Sequence, residues 1–263
     1  MTKKQKISHV IVSVLLSAVL ATSGFMICRE LSSQQKEKED FKELAELITV
    51  TQTELLESTA TEDTSTPTEE TTEPEKPQET TGRDLSKLFA LNSECIGWIS
   101  IPGTAVDYPV MHTPDNPQKY LHKNFYSEYS QSGVPFLDGR CDADSDNLIV
   151  YGHNMKNGTM FSNLRYYTDK TFCAEHPMIE LETADGLNLC EIFAILKTDN
   201  ADEWYNFIMA DGKDDFNRRV SDVKVRSLFK SDITLKYGQQ LLTLSTCYGS
   251  SKSGRLLVLA VIR

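Results

Sequence analysis

QLLTLSTC at residues 240–247, the loop YGSSKSG at 248–254 and RLLVLAVI at 255–262 together spell two apolar strands joined closely enough to pair as a hairpin. Successive side chains of an extended strand point to opposite faces. Thr243, Ser245 and Cys247 therefore share one face, and Leu242, Leu244 and Thr246 share the other. Cys247 falls at the C-terminal end of its strand, where a side chain can reach a cleft. Pairing as a hairpin sets the start of the second strand beside the end of the first, which brings Arg255 close to Cys247. A guanidinium in that place can favour the thiolate and donate to the oxyanion of a tetrahedral intermediate.

Acyl chemistry at a thiol also needs a proton carrier, because the thiol must lose a proton and a departing amine must gain one. NLIVY at 147–151 is a short apolar strand followed at once by Gly152 and His153. If it runs parallel to 240–247, imidazole and thiol open onto the same sheet edge. The other histidines lack such neighbours. His9 abuts an apolar run, and His112, His122 and His176 lie among polar loop residues, so they read as ordinary surface or structural groups.

Further strand-like runs occupy 98–101, 105–110, 134–137, 178–181 and 190–197, with Gly103, Pro109, Gly133, Gly186 and Gly238 among the residues that punctuate them. Eight short strands with few helices between them predict a mainly β fold, an antiparallel or mixed barrel. The exception is 201–230, where EWYNFIM and DDFNRRVSDVKVRSLF have helical spacing and predict a helical insertion just before the penultimate strand. DLSKLFAL at 84–91 predicts a short amphipathic helix.

The N-terminal third has a different character. Residues 10–28, VIVSVLLSAVLATSGFMIC, carry no charge and have about the length that crosses a bilayer as a helix. Lys3, Lys4 and Lys6 precede this run and hold residues 1–9 in the cytoplasm, so a single-pass cell-membrane protein with an extracytoplasmic C-terminal part is expected. A cleaved signal peptide is the competing reading, but Phe25, Met26 and Ile27 continue the apolar run past its cleavage site and favour an anchor. Residues 29–50, with Phe41, Leu44, Leu47 and Ile48 at helical spacing, predict a juxtamembrane helix. Residues 51–83 are rich in Thr, Glu and Pro; of the chain's net charge of −11, −8 falls within 51–81. Such a segment buries too little to offset the entropy of ordering and predicts a disordered stalk ahead of a folded domain at 84–263. No region has the basic excess that phosphate backbones select, so nucleic acid is not an expected partner. Cysteines stand at 28, 95, 141, 173, 190 and 247 with no CxxC spacing, which gives no zinc signature. Cys95, Cys141, Cys173 and Cys190 read as small buried filler.

TLSTC at 243–247, Arg255 after a short loop and YGHNM at 151–155 resemble the signature segments of sortases, the Gram-positive transpeptidases that join secreted proteins to the cell wall. GWISIPGTAVDYPVM at 97–111, DNPQKYL at 115–121, SGVPFLD at 132–138, GTMFSNL at 158–164 and the helical insertion resemble class B. The resemblance covers the chain from about residue 84 onward. It implies an eight-stranded sortase-type β-barrel with peripheral helices and a Cys247, His153 and Arg255 active site. Cys247 would attack the carbonyl of a Thr in a C-terminal sorting motif, and His153 would protonate the leaving amine. A peptidoglycan precursor amine would then resolve the thioester, with His153 accepting its proton. Ser245, Tyr151, Asn116 and Leu121 are the implied substrate contacts, their alternative being local packing or turn formation. No metal and no cofactor are implied. Pilin polymerisation, hydrolytic cysteine peptidase activity and a non-catalytic binding module on the same fold remain as alternatives.

Overall fold

The computed structural model describes residues 3–58 and 82–263, with side chains for 15–48 and 82–263. The N-terminal unit is helical: α1 (Lys3–Ser58) is continuous. Its Leu15–Ile48 portion contains a stretch long and apolar enough to cross a membrane. Anchor and juxtamembrane helix were expected as separate segments, yet nothing between residues 29 and 50 is a Gly or Pro that would interrupt one helix. α1 also runs into the first part of the expected stalk, because TQTELLES at 51–58 holds Gln, Glu and Leu and likewise lacks both helix breakers. Residues 1–2 and 59–81 lie outside the described residues, and with them most of the stalk.

From residue 82 the chain forms a barrel. A short helix, α2 (Ser86–Leu91), leads into strands β1 (Cys95–Ser100), β2 (Asp107–Met111), β3 (Phe136–Leu137) and β4 (Asn147–Tyr151). A 3-10 stretch at Phe161–Thr168 and the short helix α3 (Lys170–Glu175) follow. Then come β5 (Met178–Thr183), β6 (Gly186–Asp199), α4 (Gly212–Arg226), β7 (Leu241–Cys247) and β8 (Gly254–Ile262). The eight strands close in the order β1-β2-β3-β4-β7-β8-β6-β5, with β5 pairing back onto β1. β4 and β7 run parallel, which meets the condition for imidazole and thiol to share a sheet edge, and β7 and β8 pair antiparallel as a hairpin.

β7 and β8 are nearly continuous apolar runs because both their faces are buried. Leu242, Leu244, Leu256, Val258 and Ala260 face the barrel interior, and none exposes any surface. The opposite, outward face carries Leu241, Leu257, Leu259 and Val261, against which Trp204, Phe207, Phe216, Val220 and Val223 pack. The predicted insertion is thus a cover for the outside of the barrel, built from a single 3-10 turn at Glu203–Asn206 and α4. A buried polar chain docks it. Trp204 Nε1 donates to Thr243 Oγ1 at 2.9 Å, Thr243 Oγ1 donates to Asn147 Oδ1 at 2.8 Å, and Asn147 Nδ2 donates to the Phe207 carbonyl at 2.9 Å. The 3-10 stretch at 161–168 and α3 were not foreseen. Asp169 caps α3, its Oδ1 accepting from the backbone N–H of Thr171 and Phe172 at 2.8 and 3.1 Å.

Candidate active site

Strand register brings the chemistry together. Cys247 pairs directly with Arg255 across β7 and β8, and Tyr151 pairs with Ser245 across β4 and β7. Paired residues project to the same side of a sheet, so Tyr151, Ser245 and Leu257 form one row on the outward face. One step further along lie Cys247 and Arg255. The insertion covers the first row: Ser245 is 2% exposed and its Oγ lies 2.7 Å from the hydroxyl of Tyr205. It stops short of the second row, and Cys247 is exposed.

β4 ends at Tyr151, and the next two residues turn His153 into the same cleft. Gly152 is required there by close approach, since a Cβ at that position would lie 2.6 Å from the ring of Phe161. His153 Nε2 lies 3.0 Å from the carbonyl oxygen of Leu121. A carbonyl can only accept, so Nε2 carries the hydrogen and Nδ1 presents its lone pair. The imidazole also stacks on His122, with centroids 5.5 Å apart and planes 27° apart. Burial holds the His153 pKa below the ordinary imidazole range, and the charge of His122 adds to this while the Leu121 carbonyl opposes it.

Cys247, His153 and Arg255 all line one open cleft of about 480 Å³, together with Ser245, Tyr151 and Leu121. Asn116 is not among the lining residues. It is exposed and closes a turn, its N–H donating to the Thr113 carbonyl at 3.1 Å and its own carbonyl accepting from Thr113 Oγ1 at 2.9 Å. The guanidinium of Arg255 is braced by its own hairpin: Nη1 donates to the carbonyls of Lys252 and Gly254 at 3.1 and 3.0 Å. Five N–H donors sit on a guanidinium, so this bracing leaves the fork able to donate elsewhere.

Sequence reasoning missed the far wall of the cleft. Tyr151 donates its hydroxyl to Asp138 Oδ2 at 2.8 Å, and Arg140 pairs with Asp138 through Nε at 2.9 Å and Nη2 at 2.8 Å. Arg140 Nη2 also reaches the Tyr205 carbonyl at 2.7 Å, which ties this network to the insertion. Burial raises the Asp138 carboxyl, but the bonds from Arg140 and Tyr151 outweigh it and hold the group below the usual carboxylate range. Burial pushes the Tyr205 hydroxyl up to about 12. Tyr205 lay in a stretch legible only as helical, and no spacing signal tied it to Cys247.

Cys95, Cys141 and Cys190 are buried and Cys173 half-buried, all as free thiols. Burial pushes the first two and Cys173 up to about 11 and Cys190 up to about 12. Among the described residues no three His, Cys, Asp or Glu side chains are grouped as metal ligands.

Comparison with known proteins gives a consistent family. Residues 99–263 match the model of the sortase domain. The chain is 37% identical over 167 residues to sortase B of Listeria monocytogenes, a match spanning 63% of this chain and 66% of that protein. It is 31% identical over 193 residues to sortase B of Staphylococcus aureus, covering 71% of this chain and 78% of that protein. Among solved structures, Clostridium perfringens sortase B superposes with a TM-score of 0.65 at 31% identity, covering 68% of this chain and 100% of the other. A Staphylococcus aureus sortase B–substrate complex superposes with a TM-score of 0.64 at 30% identity, covering 68% and 84%.

Proposed function

This chain belongs to the sortase family, class B, a family of cysteine transpeptidases, and we propose that it joins secreted proteins bearing a C-terminal sorting motif to an amine of peptidoglycan precursor. The observation that carries this is the convergence of Cys247, His153 and Arg255 on one cleft, with Cys247 and Arg255 in direct register. Cys247 passes its thiol proton to Nδ1 of His153, the resulting thiolate attacks the carbonyl carbon of the motif's Thr, and the oxygen takes up negative charge that the Arg255 guanidinium stabilises. As the C–N bond breaks, protonated His153 gives its Nδ1 proton to the leaving amine, and a thioester remains on Cys247. The acceptor amine then attacks the thioester carbonyl, His153 takes its proton, and the thiolate departs. Nε2 stays on the Leu121 carbonyl throughout, which holds the ring in one orientation.

Tyr151, Ser245 and Leu121, which line the cleft, are the proposed contacts to the sorting peptide. Asn116, whose backbone closes a turn outside the cleft lining, is the fourth proposed contact. In this proposal residues 1–9 are cytoplasmic, 10–28 are the anchor and 51–83 tether a catalytic head at 84–263 outside the membrane.

Incubating the full-length chain in detergent with a Thr-containing sorting peptide, with and without an amine acceptor, tests the proposal. A ligated product that requires acceptor and disappears in Cys247→Ala is expected. Cleavage indifferent to acceptor, with no ligated product, would instead identify a hydrolytic peptidase, and transfer surviving in Cys247→Ala would remove the nucleophile.

A further inference from the structure

The β4–β7 ladder ends just before the reacting residues. Its last backbone bond is Gly152 N–H to the Ser245 carbonyl, at 3.1 Å. Beyond it the two chains diverge, as they must if His153 is to face the cleft from a loop. Two side chains carry the connection one residue further. Thr246 Oγ1 donates to the Gly152 carbonyl at 2.7 Å, and Asn154 Nδ2 donates to the Cys247 carbonyl at 2.9 Å. The first bond joins the residue before Cys247 to the residue before His153. The second joins the residue after His153 to Cys247 itself.

Asn154 is held from its other side as well. It forms an isolated antiparallel bridge with Met160, and the Phe161 N–H donates to the His153 carbonyl at 2.9 Å. Met160 has φ 56° with ψ −135°, a positive-φ conformation that a side-chain-bearing residue rarely adopts. Its N–H is fixed by the Tyr108 hydroxyl at 3.0 Å. The loop therefore tolerates backbone strain at Met160 while returning Asn154 to the end of β7.

From this we infer that Asn154 is a positioning residue for acyl transfer, its carboxamide fixing the separation of His153 and Cys247 by bonding the Cys247 carbonyl. The inference rests on Cys247 and His153 being the reacting pair. Asn154 needs no contact with the sorting peptide, and it is absent from the cleft lining. Its loss therefore acts on the rate of the chemical steps and leaves peptide affinity alone.

Steady-state transfer by the full-length chain in detergent, with sorting peptide and amine acceptor, supplies the test. Misplacement of a reacting pair by about 1 Å costs on the order of a hundredfold, so Asn154→Ala is expected to lower kcat about ten- to a hundredfold with KM within about twofold. Asn154→Asp keeps the shape but replaces the donor with an oxygen that repels the Cys247 carbonyl, and it should fall as far. Asn154→Gln, which keeps an amide donor, should recover part of kcat. Thermal melts run alongside identify any variant that loses activity by unfolding, and the near-isosteric Asp variant then supplies the answer if Ala does not fold. A kcat within twofold of the parent in folded Ala or Asp variants overturns the inference, as does a change confined to KM. Parent and Cys247→Ala run as controls: transfer absent from the parent, or persisting without the thiol, brings down the catalytic assignment and this inference with it. Full kcat in Asn154→Ala alongside a dead Cys247→Ala overturns only the positioning role.

Discussion

Replacing Thr243 with Val tests how the insertion is fastened to the barrel. Thr243 is fully buried, and its hydroxyl is the central link between Trp204 Nε1 and Asn147 Oδ1. Val fills nearly the same volume, so little cavity forms and the cost is polar. Trp204 is 3% exposed and Asn147 is 0% exposed, so neither partner can turn to water in place. Stranding a buried donor or acceptor costs about 1–3 kcal/mol each, which makes about 2–5 kcal/mol for the pair after partial relaxation. With a urea slope of about 2 kcal/mol per molar, the midpoint of unfolding should fall by roughly 1–2.5 M. Thr243→Ser keeps the hydroxyl and loses one methyl, and should cost only about 1 kcal/mol. Because Trp204 adjoins Tyr205 on the cleft wall, the Val variant should also raise KM for the sorting peptide. A Val variant within about 0.5 kcal/mol of the parent, or a Ser variant as unstable as Val, would show that the Trp204–Thr243–Asn147 chain does not hold the insertion.

Other perturbations probe the site itself. Arg255→Lys keeps a charge but loses the planar fork, and kcat should drop about ten- to a thousandfold; near-parent turnover would refute the oxyanion role. Gly152→Ala sets a Cβ 2.6 Å from the Phe161 ring, so a melting experiment should show a loss of about 1–3 kcal/mol, together with reduced transfer. Burial depresses the pKa of both His153 and His112 in the folded chain. The unfolded chain therefore binds more protons as pH falls through about 6.5, and stability should decline from pH 7.5 to 5 and recover on return. A midpoint that rises on acidification over that window would contradict those buried, neutral imidazoles. Brief iodoacetamide treatment should label Cys247 ahead of Cys95, Cys141 and Cys190, whose thiols are buried and pushed up to about 11 or 12, as peptide mass spectrometry would read directly.

What was legible in the sequence followed from period-two alternation and short connections. These signals are local, and they place all eight strands and the Cys247–Arg255 hairpin pairing. The parallel approach of 147–151 to 240–247 was legible as a condition, because an apolar strand ending in Gly-His suits that arrangement without requiring it. Polar residues with long-range partners were not legible. Asp138 and Arg140 look like an ordinary turn until the fold sets Tyr151 over one and the Tyr205 carbonyl beside the other. Asn116 was read from its family-like segment as a substrate contact with turn formation as its alternative, and its backbone N–H and carbonyl both bond Thr113 in a surface turn. The 3-10 stretch at 161–168 escaped because its residues lack the 3.6 spacing that marks a helix.

The position of the site follows from where the cover ends. A strand of period two has one inward and one outward row, and in β7 both are apolar or hydrogen-bonded as far as Ser245. The inward row is closed by the barrel. The outward row is closed by the insertion, whose apolar contacts include Leu241 and whose polar contacts reach Thr243 and Ser245. Cys247 is the next outward residue, and there the cover stops. Arg255 is outward on the neighbouring strand by register, and His153 is two residues beyond Tyr151, the outward residue that ends the strand on the other side. A cysteine one residue earlier would point into the barrel, and one two residues earlier would lie beneath Tyr205. The thiol therefore has one place on this strand where it is both accessible and flanked by an imidazole and a guanidinium. Sliding the β7–β8 register by a single residue would turn Arg255 to the opposite face from Cys247 and remove the proposed oxyanion partner without altering a side chain.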